Sequence, residues 1–232
     1  MIRPHIKQIQ GDQLITDRFV AQGNLEGQQD IVTGNWFFST SNFISPEDIC
    51  SKISLSAGTL INSTSDWLQF FDNGKILFIN RQPIRSNLSY DNVEAVIDPI
   101  NGTQITIEYN GEEIRYNCRL PKGGNANPCY NITALGQGSE WNRLMYRVNA
   151  DKVTDAANGV QIRPNFVELS NVELGIGTGA VGVKTLCQEP LSSDNSKVLL
   201  RGDENSISAS EFVDRDYVNT NVGLRLVLEL ET

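Results

Sequence analysis

"GSEWNRLMYRV", Gly138–Val148, is the clearest helix start in a chain whose other segments read mostly as short strands and turns. Ser139 suits the N-cap, because its hydroxyl can accept a hydrogen bond from an unsatisfied N–H of the first turn. Glu140 follows where the positive end of a helix favours a carboxylate. Trp141, Leu144, Met145 and Val148 recur at helical spacing. Trp141 and Met145 therefore share a face, and that face is expected to pack on a sheet. The preceding stretch, "PKGGNANPCYNITALGQG" (121–138), is rich in Gly and Asn and reads as a long loop.

Working towards the N-terminus, "TQITIEYNGEEIRYNCRL" (103–120) predicts a hairpin that turns at Asn110-Gly111, with Ile105, Ile107 and Tyr109 on one buried face. "LSYDNVEAVI" (88–97) predicts a short helix capped by Ser89. "DWLQFFDNGKILFINRQPI" (66–84) predicts another hairpin, turning at Asp72-Asn73-Gly74. "SPEDICSKI" (45–53) predicts a helix of about two turns, with Ser45 as cap, Pro46 at the first position and Glu47 and Asp48 in the first turn. Residues 1–40 are polar and interrupted by Gly11, Gly23, Gly27 and Gly34.

Beyond residue 150 the helix signals stop. "NFVELSNVEL" (165–174) and "KVLLRGD" (197–203) read as strands. "VGLRLVLELE" (222–231) reads as one terminal strand, with Leu224, Leu226, Leu228 and Leu230 facing one way and Arg225, Val227 and Glu229 the other.

Charge and composition exclude several function classes. The 232 residues carry a formal charge of −9, and the 19 Lys and Arg are scattered. A phosphate-binding surface needs clustered cations, so no nucleic-acid partner is expected. No apolar run is long enough to span a membrane, so no membrane partner is expected, and "MIRPHIKQIQGDQ" (1–13) lacks the apolar core of a signal peptide. The four cysteines, Cys50, Cys118, Cys129 and Cys187, form no C-x-x-C pair, and His5 is the only histidine, so no metal site and no cofactor are expected. Cys118 and Cys129 flank the Gly-rich loop and could meet, although four reduced thiols are the simpler expectation.

Some motifs point nowhere. Gly177, Gly179 and Gly182 match G-x-G-x-x-G, but a dinucleotide site needs that pattern to open a helix, and Pro190 follows too soon, so a surface loop is expected. Arg201-Gly202-Asp203 directly follows a strand and reads as a turn. A Ser-His-Asp or Cys-His arrangement needs a histidine, and no carboxylate pair is singled out by spacing, so no catalytic residue is expected.

Four pieces stand in a telling order: "CRLP" (118–121), "SEWNRLMYRV" (139–148), "LLRGD" (199–203) and "GLRLVLEL" (223–230). The series resembles the formylglycine-generating-enzyme (sulfatase-modifying-factor) branch of the C-type-lectin-like fold, with Arg119-Leu120-Pro121, Glu140-Trp141, Arg201-Gly202 and Gly223-Leu224-Arg225 at the places of that branch's Arg-Leu-Pro, Glu-Trp, Arg-Gly-Gly and Gly-Phe-Arg. The stretches at 56–93 and "LCQEP" (186–190) resemble the version of this domain found in virion proteins of tailed bacteriophages. The resemblance covers roughly residues 55–232. It implies an α+β fold with small twisted antiparallel sheets, a few short helices and long loops, occupying residues 56–232. Residues 1–55 would then be a β or irregular segment for virion attachment or oligomerisation.

The resemblance does not extend to the family's chemistry. Oxidases of that branch use a cysteine pair just before the Gly-Phe-Arg strand, and "SASEFVDRDYVNTNV" (208–222) has none. The histidine cluster of iron-dependent relatives and the calcium-binding sugar motif of animal lectins are also missing. The expected protein is a non-enzymatic virion component (decoration, collar or fibre), made and assembled in the bacterial cytoplasm. Its expected partners are other virion proteins of capsid, neck or tail, further copies of itself and a host-surface glycan. The rival class is an enzyme of this fold with an unrecognised site. Ligand contact is expected from three polar segments, 121–138, 187–197 and 206–221. There Tyr130 and Tyr217 offer aromatic faces, Asn125, Asn127, Gln188 and Asn219 offer amides, and Asp194 and Asp214 add acceptors.

Overall fold

The structure, a computed structural model, describes residues 28–29, 37–38, 43–72, 75–109, 112–124, 126–129, 139–149 and 169–231. Its strands are β1 (Gln28–Gln29), β2 (Phe37–Phe38), β3 (Thr59–Leu60), β4 (Trp67–Asp72), β5 (Lys75–Asn80), β6 (Arg85–Ser86), β7 (Thr103–Tyr109), β8 (Glu112–Arg119), β9 (Lys184–Leu191), β10 (Asp194–Arg201), β11 (Ser210–Asp214), β12 (Val222–Leu224) and β13 (Val227–Leu230). Among the described residues four short helices accompany them: α1 (Pro46–Lys52), α2 (Tyr90–Glu94), α3 (Glu140–Arg143) and α4 (Met145–Val148). The fold is mixed α+β, mostly sheet. One sheet runs β1-β4-β5-β13-β8-β7, with β2 also on β4, and the other runs β11-β10-β9-β12-β6-β3. Among the described strands the pairings are antiparallel except the parallel β9 and β12.

Alternation along β5 shows how the first sheet is buried. Ile76 and Phe78 enter one apolar cluster with Trp67, Tyr116, Leu186, Leu200 and Leu228. Leu77 and Ile79 enter the opposite cluster with Leu68, Phe70, Trp141, Leu144 and Met145. Successive side chains point to opposite faces, so a strand that is apolar at four consecutive positions must be covered on both. The second sheet and helices α1 and α2 cover one face, and α3, α4 and the 169–183 segment cover the other.

The local signals act as their chemistry dictates. Ser45 Oγ accepts from Asp48 N at 3.1 Å to start α1. Ser89 and Asn92 cap α2 reciprocally. Ser139 Oγ accepts from Asn142 N at 3.2 Å to start α3. The helix expected to run to Val148 is broken at Leu144 (φ −112°, ψ −72°), which yields two single turns.

Three expectations need correction. The terminal strand is two strands. β12 belongs to the second sheet and β13 to the first, and the chain crosses between them at Arg225 and Leu226. Asn80 fixes the crossing, because its Oδ1 accepts from Leu226 N at 2.9 Å while its own N–H donates to Leu226 O at 3.3 Å. The described part of 165–174 is turn and not strand. Leu174 N donates to Ser170 O and Ile176 N to Asn171 O, bonds that curl the backbone on itself. Residue 55 is no boundary either. Ile44, Ile49, Cys50, Ile53 and Leu55 are in the main core, and Trp67 Nε1 donates to Ile44 O at 2.8 Å, so the core draws on described residues on both sides of position 55.

Candidate functional site

Arg119, Glu140, Arg201 and Arg225, one charged residue from each of the four ordered pieces, are all buried. Arg119, at the end of β8, grips the Glu140 carboxylate with both terminal nitrogens, at 2.7 and 3.1 Å, and reaches Glu229 of β13 at 3.3 Å. Lys122 N also donates to Glu140, at 3.1 Å. Burial alone would raise the Glu140 carboxyl, but the charge and hydrogen bonds of Arg119 outweigh it and hold the group below its ordinary value. Arg119 itself is stabilised as a cation by Glu140 and Glu229 against the opposing effect of burial.

The other two arginines donate to neutral acceptors. Arg201 donates to Asn142 Oδ1 at 2.6 Å, to Gly123 O and to Ala209 O at 3.3 Å. Arg225 donates to Thr185 Oγ1 at 3.1 Å, to Asn80 O at 3.0 Å, and to Arg81 O and Leu174 O. Burial pushes them down to about 10 and about 9 respectively. Their planar forks gather carbonyls that would otherwise be orphaned where loops meet sheet. Trp141 stands among them. Its Nε1 donates to Ile207 O at 2.8 Å, and the Arg225 guanidinium lies 6.0 Å from its ring. Gly223 is required in the middle of β12 because an added Cβ would lie 2.1 Å from Gly182 O.

Among the described residues, Glu189 is a buried carboxylate with no cation in hydrogen-bonding contact. It accepts from Gly123 N at 3.0 Å, and desolvation pushes its carboxyl up to about 7 despite the main-chain donors. Cys129 and Cys187 are packed with Leu199 beside the Gly123-Gly124 backbone, whereas Cys118 lies in the main core. Cys118 and Cys129 are therefore not paired, and all four cysteines are buried and outside any disulfide. Among the described residues, no three His, Cys, Asp or Glu side chains converge as metal ligands. No described helix is long and apolar enough to cross a membrane.

The sequence-predicted ligand residues separate into groups. Tyr130 and Asn125 lie outside the described residues. Asn127 is exposed beside Pro128. Gln188 does not face solvent, because 187–197 is a β9–β10 hairpin and not a loop. Its amide is buried and donates to Leu120 O at 3.1 Å and Pro99 O at 3.3 Å. Asp194 caps its own turn by accepting from Ser196 N at 3.1 Å. Hydrogen bonds from Ser196 hold it below the usual carboxylate range. Asp214, at the end of β11, pairs with Lys197 at 2.7 Å. Tyr217 and Asn219 are brought together in the following loop, where Asn219 Nδ2 donates to Tyr217 Oη at 3.0 Å. The ring is 41% exposed. The loop is anchored at both ends, by Tyr217 N to Asp214 O at 3.0 Å and by Asn221 N to Asn219 Oδ1 at 2.8 Å. Gly177 and Gly179, at positive φ, have open space around them, as a surface turn requires.

Sequence reasoning missed the burial of Glu140 and Glu189. A signal was present for the arginines, since "VLLRG" and "GLRLVL" each place a lone cation inside an apolar run. No family model matches the chain, and no curated protein matches it. Among solved structures, Treponema denticola variable protein 1 is similar at 11% identity and a TM-score of 0.32, covering 74% of this chain and 91% of that one. A likeness this weak carries no argument.

Proposed function

We propose that this chain is a non-enzymatic bacteriophage virion component whose lectin-like domain displays a binding loop towards host-surface glycans. The observation that carries the glycan reading is the Tyr217–Asn219 pair, an exposed ring and a pre-positioned amide on an anchored loop. An aromatic face stacks on the C–H surface of a sugar while an amide serves its hydroxyls, and a loop held at both ends loses little freedom on binding. The buried motif residues support the lectin-like fold. Each is occupied in joining sheets and loops, as expected of a scaffold that carries variable loops. Assembly into particles in the bacterial cytoplasm, with contacts to other virion proteins, belongs to the same proposal and rests on the ordered sequence resemblance.

Adsorption of the purified protein to host cells, and competition by isolated surface polysaccharide, tests the reading. Tyr217→Ala should lower adsorption while leaving stability within about 0.5 kcal/mol, the range for surface substitutions, and Asn219→Ala, which also releases Asn221 N, should lower adsorption as well. Unchanged adsorption by both folded variants would reduce the domain to a structural decoration.

A further inference from the structure

β7 ends the first sheet and, among the described residues, nothing pairs with its outer edge. The direction of its main-chain groups can be worked out. Arg115 of β8 stands opposite Thr106, and Arg115 O accepts from Glu231 N on the β13 side. Arg115 therefore turns its main-chain groups away from β7, and Thr106 turns its own away from β8, because directly opposed antiparallel residues either both face each other or both face away. By the same parity Gln104, Thr106 and Glu108 all present N–H and C=O to the open edge.

The other described edges are guarded. β1, β2 and β3 are two residues each. β11 carries Glu211 and Asp214, which are drawn into ion pairs with Lys184 and Lys197. β7 carries a single charge, Glu108, and lacks the other usual protections. "TQITIEY" contains no proline and no lysine, and its seven pairs with β8 run without a bulge.

We infer that β7 pairs antiparallel with β7 of a second copy of this chain, about a two-fold axis at Thr106. In that register Gln104 stands opposite Glu108 of the second copy, Ile105 opposite Ile107, and Thr106 opposite itself. The three free N–H groups of each strand meet the three free C=O groups of the other. Amide faces carboxylate, hydroxyl faces hydroxyl, and no like charges oppose on the outer face. Gln104 Nε2 already donates to Glu231 at 2.6 Å and has a second hydrogen to offer. On the inner face the isoleucine pairs extend the core, at whose margin Ile105 keeps 8% exposure. The pairing is independent of the glycan reading and survives its failure.

Sedimentation of the full chain at about 100 µM tests the inference, since a dimer's population rises with protomer concentration. The wild type should run at twice 25.7 kDa. Thr106→Lys, which sets an ammonium against its own copy at the axis, should weaken association at least about tenfold while the circular dichroism melt stays in place. Thr106→Cys should form an interchain disulfide on mild oxidation, because hydrogen-bonded antiparallel partners bring their Cα atoms to about 5.5 Å. A monomeric wild type overturns the inference. So does an oligomer that Thr106→Lys leaves intact and Thr106→Cys does not cross-link.

Discussion

Replacing Trp141 probes the packing of α3 and α4 against the first sheet. The indole is 1% exposed and lies among Leu68, Phe70, Leu77, Ile79 and Met145 of the second cluster. Trp141→Ala loses the transfer free energy of the ring and leaves a cavity between sheet and helix, together about 3–5 kcal/mol. It also strips Ile207 O of its indole donor, which adds about 1 kcal/mol. The Arg225 guanidinium, at 6.0 Å, adds little. The expected loss of about 4–6 kcal/mol is a large share of the 5–15 kcal/mol typical of a folded domain. Trp141→Phe keeps most of the volume but not the donor, and should cost about 2 kcal/mol. Urea unfolding followed by circular dichroism separates the two, since the midpoint moves while the slope stays fixed. A loss below about 1 kcal/mol for Trp141→Ala would refute the burial argument. Equal losses for both variants would refute the division between cavity and hydrogen bond.

Further outcomes follow from the same geometry. Glu140→Gln leaves Arg119 buried with half its compensation and should destabilise by about 3–5 kcal/mol, whereas Arg119→Met with Glu140→Leu together should recover much of that loss. Glu189 binds its proton more tightly in the folded chain, up to about 7 against an ordinary 4.5, so its contribution is fully present below pH 4.5 and is lost as pH rises through about 7. Thermal melts from about pH 5 to 8 should show Glu189→Gln gaining on the wild type as pH rises, by at most about 3 kcal/mol, and a constant difference would contradict the shift. Gly223→Ala forces a Cβ onto Gly182 O and should lower the melting temperature sharply, and a variant that melts like the wild type would refute the close approach. A chain truncated to residues 56–232 loses Ile44, Ile49, Cys50, Ile53 and Leu55 from the core and should not fold, as cooperative unfolding or its absence will show.

Much of the fold was legible because its signals are local. Ser45, Ser89 and Ser139 cap helices through atoms three residues away, and both hairpins follow from β-forming runs on either side of an Asn-Gly pair, a signal that needs no distant information. What escaped depends on partners far along the chain. "VGLRLVLELE" alternates as one strand, and only Asn80, contacting Leu226 from β5, makes it cross between sheets. Glu140 looks like a solvated first-turn acid until Arg119 meets it across the fold. Gln188 sits in a stretch as polar as any loop, yet its amide is consumed by carbonyls of Pro99, Ile100 and Leu120. The Tyr217–Asn219 pair was visible as residue types, while its hydrogen bond and anchoring came from the loop's own turns.

Residence in a phage particle is tested most directly by counting copies of the chain in purified particles. Particles banded by density and analysed by quantitative mass spectrometry should contain it at a fixed ratio to the major capsid protein, unchanged by a high-salt wash. Its absence from banded particles, with the protein abundant in the soluble lysate, would contradict the virion assignment.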